Sequence, residues 1–337
     1  MNAQTTWFVL VAILLAGYAV LDGSDLGIGV LYPFLARNKG ERAELRAAAG
    51  PVWDGNELWL LASLGALFAA FPPVYTFVAG SPMLILILIF ASLGVRALAL
   101  VWREHGHAHA TAWDGAIYIG SLLPAFLLGV VLANTLRGVP LTPAGDYAGT
   151  FWQLLNPFAL LVGATGLALL VGHGASWAAF KTEGHLRLRA VQVRSGAQLS
   201  FVALFALVTV QAGFNLSGDL RRFVSRPLGW GMIALLIAGL IVARFGMSRR
   251  WDLAAFLGSA VTVAAVAGIA AVSDYPTIVA ARSSAAGTAL TVARSSSSGA
   301  VLSRMLILAA AGVPIVVGYT VLARLFSRRP PGLPRRS

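Results

Sequence analysis

Nine apolar stretches recur along this chain, at about 7–34, 52–72, 81–102, 114–136, 154–179, 198–215, 228–245, 251–273 and 305–326. As helices they are long enough to cross a ~30 Å hydrocarbon layer, and their unbroken apolarity excludes the ten-residue alternating strands of a barrel. With 58% of 337 residues hydrophobic and 11% charged, nothing is left for a soluble domain. The chain reads as an all-α polytopic membrane protein of about nine transmembrane helices. Only 137–153 and 274–304 are long connections. The helical rhythm is alike on both sides of the first. Residues 1–136 therefore read as one four-helix bundle, 154–273 as a second and 305–326 as a peripheral ninth helix, all within one membrane domain, 1–337. The Ser- and Ala-rich 283–300 reads as part mobile linker and part packed hairpin, because Leu290 and Val292 interrupt its polar pattern.

The start, MNAQTTW, carries no basic segment, and no small-residue cleavage site follows the first apolar run, so the first helix is expected to stay as an anchor. The formal charge is +12, yet it is spread as a membrane topology requires and not as a nucleic-acid patch. With the N-terminus outside, seventeen Lys and Arg fall in inner loops and the tail, seven fall outside, and Arg96 lies inside a helix. That asymmetry and the odd number of crossings agree on N-terminus out and C-terminus in. The outer cluster Arg221, Arg222 and Arg226 runs against the rule.

The chain has only thirteen acids, so each one inside an apolar span is informative. A carboxylate at the bilayer centre costs about 2.5–3.5 kcal/mol on insertion scales and normally faces the bundle interior or a wet path. In VLDGSDLGIG, Asp22 and Asp25 are three apart on one helix face, among Gly23, Gly27 and Gly29, which admit a second backbone. Such a pair resists double ionisation and suits a shared proton, although two carboxylates also suit a cation. Asp54 and Glu57 in PVWDGNELWL repeat the spacing behind Pro51. Acids there are also what an ordinary helix N-terminus favours. The two readings stay open on sequence alone. With N-terminus out, Asp54 stands at the inner mouth, and Asp25 stands about ten residues, or ~15 Å, above the inner end of the first span.

The absence of cysteine excludes disulfides, CxxCH haem attachment, iron–sulfur clusters and thiolate copper. His105, His107 and His109 fall in an inner loop, where solvation is the simpler reading than a weak metal site, and His185 sits in a basic loop. His173 alone lies well inside a span, where a hydrogen-bonded packing role is the simpler reading than haem ligation. Trp53, Trp59, Trp102, Trp113 and Trp152 stand near span ends, as an interfacial belt would. There is no phosphate-binding glycine loop and no nucleophile with a paired base.

Six segments together carry a resemblance: DGSDLGIGVLYPF (22–34), GPVWDGNELWLLASLGALFAAFPPVY (50–75), IYIGSLLPAFLLGVVLANTLRGVPL (117–141), FWQLLNPFALLVGATG (151–166), KTEGHLRLR (181–189) and VPIVVGYT (313–320). Their order resembles subunit II of cytochrome bd-type quinol oxidases over nearly the whole chain. The first two segments are the most specific. The resemblance implies a multi-pass protein of the bacterial cytoplasmic membrane, surrounded by lipid and quinone and paired with subunit I, with room for a small third subunit and no nucleic acid. It implies that haem b, haem d and the quinol-oxidation site belong to subunit I, and that this chain binds no cofactor alone. The complex would oxidise quinol, reduce oxygen to water and draw its protons from the cytoplasm. On this sequence the implied proton-path acid is Asp54, with Asn56 and Trp59 on the same helix, and the paired acids are Asp22 and Asp25; Glu57 joins them from its spacing to Asp54.

Two positions depart from the pattern. Val101 stands where many relatives carry an acid, with Glu104 one turn later as the expected substitute, and Arg294 precedes the run SSSS where relatives often have Asn or Asp. Two alternatives compete with an oxidase subunit: a proton-coupled membrane transporter, which also needs intramembrane acids, and a scaffold whose acids only cap helices and hold subunits.

Overall fold

The computed structural model describes residues 2–49, 53–78, 80, 82–105, 110–282 and 289–326. It opens with α1 (Ala3–Leu35), a 33-residue helix started by Asn2, whose side chain accepts from the Thr5 amide at 2.9 Å. A short α2 (Lys39–Ala49) leads to α3 (Trp53–Ala70), which ends at a pair of prolines and turns by 112° into α4 (Pro72–Val78). Next come α5 (Met83–His105) and α6 (Ala110–Arg137), then one turn, α7 (Phe151–Leu154). The second half holds α8 (Pro157–Lys181), α9 (Gly184–Asn215), the short α10 (Ser217–Val224), α11 (Pro227–Ser248) and α12 (Asp252–Asp274). Strands β1 (Thr277–Val279) and β2 (Leu290–Thr291), the single turn α13 (Val292–Ser295) and α14 (Gly299–Phe326) complete it. Among the described residues eight helices are long and apolar enough to cross a membrane, or nine if α3 and α4 count as one bent span.

The long helices pack as one continuous assembly: α1 on α3, α6 and α8, α5 on α6, α6 on α8, α8 on α9 and α12, and α11 on α12. The first and second halves of the chain meet where α1 and α6 cross α8. At that crossing α1 and α8 touch backbone to backbone: a Cβ on Gly27 would strike Leu170 O and the Gly174 main chain, and one on Gly29 would strike Ser121. The glycines around the first acid pair are therefore there for helix approach, as in membrane bundles generally.

The sequence placed the start of the sixth span near 198, but the helix begins fourteen residues earlier, at Gly184. Gly184 takes φ +58°, the left-handed region open to glycine, so Thr182 and Glu183 alone join α8 to α9. The basic segment that follows can be helical because its arginines find counter-charges there. Arg187 Nη2 and Arg194 Nη1 reach Asp252 at 2.7 and 2.8 Å, and Arg189 reaches Glu41 at 2.6 Å. Arg189 and the Arg37 amide hold the Glu41 carboxyl below its usual range.

At the other end the two long connections pack on each other. The Val139 amide donates to Ala280 O, Arg282 N donates back to Val139 O, and Val139, Val279, Leu290 and Val292 are buried. Leu290 and Val292 thus mark the packed part of the hairpin; residues 283–288 lie outside the described residues. The serine run that follows closes a helix end, with Ser297 donating from N and Oγ to the carbonyls of Ala70 and Ala69 at 2.8 and 2.7 Å. Peripheral α14 is tied on by two indoles: Trp7 Nε1 donates to Leu302 O at 3.0 Å and Trp59 Nε1 to Thr320 Oγ1 at 3.1 Å. Trp59 is accordingly an inter-helix tie and not part of an interfacial belt. Trp152, 76% exposed, does stand at the surface.

Candidate functional site

The sequence feature that organises the interior is Arg96, in the middle of α5. It is 2% exposed, and its Nη2 donates to Asp22 Oδ1 on α1 and to Glu57 Oε1 on α3, both at 2.8 Å. Asp22 is fully buried; Glu57 keeps 24% of its side chain exposed. One turn along α1, Asp25 Oδ2 accepts from Asn56 Nδ2 at 2.7 Å, and the same amide reaches Leu21 O at 3.4 Å. Asp22 and Asp25 therefore have separate partners, one a cation and one an amide. Three helices contribute one cluster of Asp22, Asp25, Asn56, Glu57 and Arg96. Burying a cation in hydrocarbon costs several kcal/mol unless carboxylates compensate it, which is why Arg96 and its two acids come from three different helices to one point.

The cluster is not saturated. Arg96 Nε and Nη1 are buried with no hydrogen-bond partner among the described residues. A cavity of about 10 Å³ touches Asp25, Arg96 and Ser121 at one end and Tyr32 and Arg46 at the other. That is close to the smallest void that admits one water. Arg46 Nη1 donates to Tyr32 Oη at 2.5 Å, so the void ends at the polar layer formed by α2. The same layer holds Asp114, 6% exposed, between Arg42 Nη1 at 2.6 Å and Arg103 Nε at 2.8 Å.

Of the residues singled out by sequence, Asp22, Asp25, Asn56 and Glu57 are brought together. Asp54 lies in the first turn of α3 and Glu104 in the last turn of α5, eight residues beyond Arg96. The side chains of both lie outside the described residues, as do His107 and His109. Arg96 itself was legible as a lone cation inside an apolar span. Asp114 and Asp252 gave no such signal, because each sits at a span edge, where an acid is unremarkable.

His173 does not fit a haem ligand. Its Nδ1 meets Ser259 Oγ at 2.7 Å, its Nε2 donates to Val20 O at 3.0 Å, and its ring stacks on Phe256, so both nitrogens are engaged. Among the described residues no group of three His, Cys, Asp or Glu is arranged to hold a metal ion.

Fold and cluster together define a multi-pass helical membrane protein with a paired acid–arginine core between its first helices. The family model for cytochrome bd terminal oxidase subunit II matches residues 3–325, and the chain belongs to that family. It is 34% identical to a probable cytochrome oxidase subunit 2 of Haemophilus influenzae over 96% of this chain and 94% of that one. It is 32% identical to the cytochrome bd-I ubiquinol oxidase subunit 2 of Escherichia coli K12, over 93% and 91%. A cytochrome bd ubiquinol oxidase subunit 2 of Bacillus subtilis is 31% identical over 96% and 97%. A chain in the structure of the bd oxidase from Geobacillus thermodenitrificans has the same fold, with TM-score 0.80 at 15% identity over 97% of this chain and 99% of that one. A match of this extent selects the oxidase-subunit reading over the transporter.

Proposed function

We propose that the chain is the haem-free subunit of a quinol:oxygen oxidoreductase of the bacterial inner membrane, and that its part in the reaction is to carry protons inward from the cytoplasm. Haem b, haem d and the quinol site are assigned to subunit I, in keeping with a His173 whose ring nitrogens are both occupied. The orientation proposed is N-terminus outside and C-terminus cytoplasmic. Residues 1–136 form the first bundle, 154–273 the second and 305–326 the outlying ninth helix. A small third subunit and a quinone are accommodated as neighbours.

The observation that carries the proton role is the unsaturated cluster at Arg96, joined by a water-sized void to the polar layer at Tyr32 and Arg46. Asp54 takes up protons at the mouth, Asn56 and Asp25 form the next station, and Asp22 and Glu57 share the charge of Arg96. Glu104 is proposed to stand in for the acid absent at Val101. Proton transfer needs donors and acceptors within hydrogen-bond reach, directly or through one water. Buried unpartnered polar atoms are where such water binds.

The test is Asp54→Asn in the assembled complex. Expected is slower oxygen consumption, by at least about tenfold given what positioned proton transfer contributes, at unchanged haem content. Asp25→Asn should behave alike, and Glu104→Gln should slow turnover by a smaller factor. Steady oxygen consumption in Asp54→Asn with normal haem content would sink the reading.

A further inference from the structure

The second bundle contains a polar line that the proton route above does not use. It begins near the surface with Arg187, 26% exposed, passes through Asp252 and reaches Arg194, whose side chain is 1% exposed. Beyond Arg194 lies a cavity of about 30 Å³, room for one or two waters, which Ser176, Gln198, Ser259, Thr262 and His173 also line. Arg194 Nε, on the cavity wall, is buried with no hydrogen-bond partner among the described residues. Ser176 and Thr262 donate to carbonyls of their own helices, so their oxygens remain acceptors for water. His173 closes the line and is itself fully buried.

The surroundings of His173 satisfy both of its protonation states without moving a heavy atom. Nε2–H donates to Val20 O in either state. Ser259 Oγ lies 2.7 Å from both His173 Nδ1 and Phe256 O. With a neutral ring the serine hydroxyl donates to Nδ1. With a charged ring Nδ1–H donates to Ser259, whose hydroxyl turns to Phe256 O. A residue that only packed would need one of these arrangements. Here the alternative acceptor is already in place, and the serine borders the cavity.

We infer that His173, Ser259 and the cavity toward Arg194 form a second proton-holding site, filled by water and reached from the Arg187–Asp252 end. In the loading step a proton entering from the Arg187–Asp252 end as a protonated water passes to Ser259 Oγ while Ser259 passes its own to Nδ1, leaving a neutral water in the cavity; unloading reverses both transfers. Facing groups set the charge balance. From α9 and α12 these are Arg194 and Asp252, compensating each other with Arg187 outside them, and from α8 Lys181, held over the Trp177 ring at 4.7 Å. From α1 come Asp22 and Asp25, two and five residues past Val20, Asp22 with Arg96 and Glu57. His173 thus holds the Val20 carbonyl on α1, while Asn56 of the Arg96 cluster holds the adjoining Leu21 carbonyl.

The purpose of the site rests on the proton-delivery reading, but its existence is testable without turnover. The assembled complex, labelled with ¹⁵N-histidine, is taken through a pH titration under infrared difference spectroscopy. Expected is an imidazole-to-imidazolium band that develops as the pH falls and is lost in His173→Gln. The band should also be lost in Ser259→Ala, which removes the relay oxygen, and restored in Ser259→Thr. Spectra unchanged in either loss variant overturn the proposal. If His173→Gln fails to assemble, the Ser259 pair decides alone. Failure of the Asp54→Asn test would leave this titration standing, so the two readings fall separately.

Discussion

At the residue scale the decisive group is Arg96, because a cation with 2% exposure tolerates no loss of its counter-charges. Asp22→Asn would leave it with Glu57 alone, a carboxylate that is 24% exposed. Removing one partner of a buried pair typically costs about 3–5 kcal/mol, whereas replacing both by apolar or neutral groups costs far less. The complex with Asp22→Asn should therefore unfold in detergent at clearly lower temperature. Adding Arg96→Met to it should recover much of the loss. If the two substitutions simply add, Asp22 and Arg96 are not coupled and the ion pair is not what holds α1 to α5. The same residue shows how much of the site could be read from sequence. Acids and a lone arginine inside apolar spans were visible because hydrocarbon makes each expensive. Which acid pairs with which cation was not, since Asp22 and Arg96 are 74 residues apart and only the fold joins them.

At the scale of elements, the α1–α8 crossing depends on the absence of side chains. Gly27 faces the backbone of Leu170 and Gly174, with no flexible side chain on the other side to give way. Gly27→Val should cost more than the ~1–3 kcal/mol of ordinary overpacking, and should show as loss of assembled, haem-loaded complex from the membrane. Gly65 in α3 has nothing within 4 Å of an added Cβ, so Gly65→Ala should be neutral or slightly stabilising. Equal yields for the two variants would show that the close approach is not required. Helix existence was legible here because twenty-residue apolar runs admit no other spanning form. The start of α9 was not, because hydropathy treats Arg187, Arg189 and Arg194 as loop residues. It cannot see that Asp252 and Glu41, from distant segments, neutralise them.

Across the whole molecule the ion pairs outside the Arg96 cluster gather at one end among the described residues. The Arg42–Asp114–Arg103, Arg187–Asp252–Arg194 and Arg189–Glu41 pairs all lie with α2 and the α8–α9 turn. That end is the one proposed to be cytoplasmic, in keeping with the positive-inside rule, and the proposed proton route opens there. One member of the dissenting cluster at the other end, Arg226, has a local cause. Arg226 Nη1 donates to Val272 O and Tyr275 O at 3.0 and 2.8 Å, so it serves the carbonyl end of α12 and is not a topological signal. The chain has no cysteine, which makes the orientation directly measurable with single introduced thiols. Ser225 and Ser248 are exposed and stand at opposite ends of α11. In intact cells a membrane-impermeant maleimide should label Ser225→Cys and leave Ser248→Cys untouched until the membrane is opened. The reverse pattern would put α2, Tyr32 and Arg46 outside. A route drawing protons from the cytoplasm through Asp54 and Asp25 would then have no cytoplasmic mouth, whatever the substitutions at those acids did to turnover.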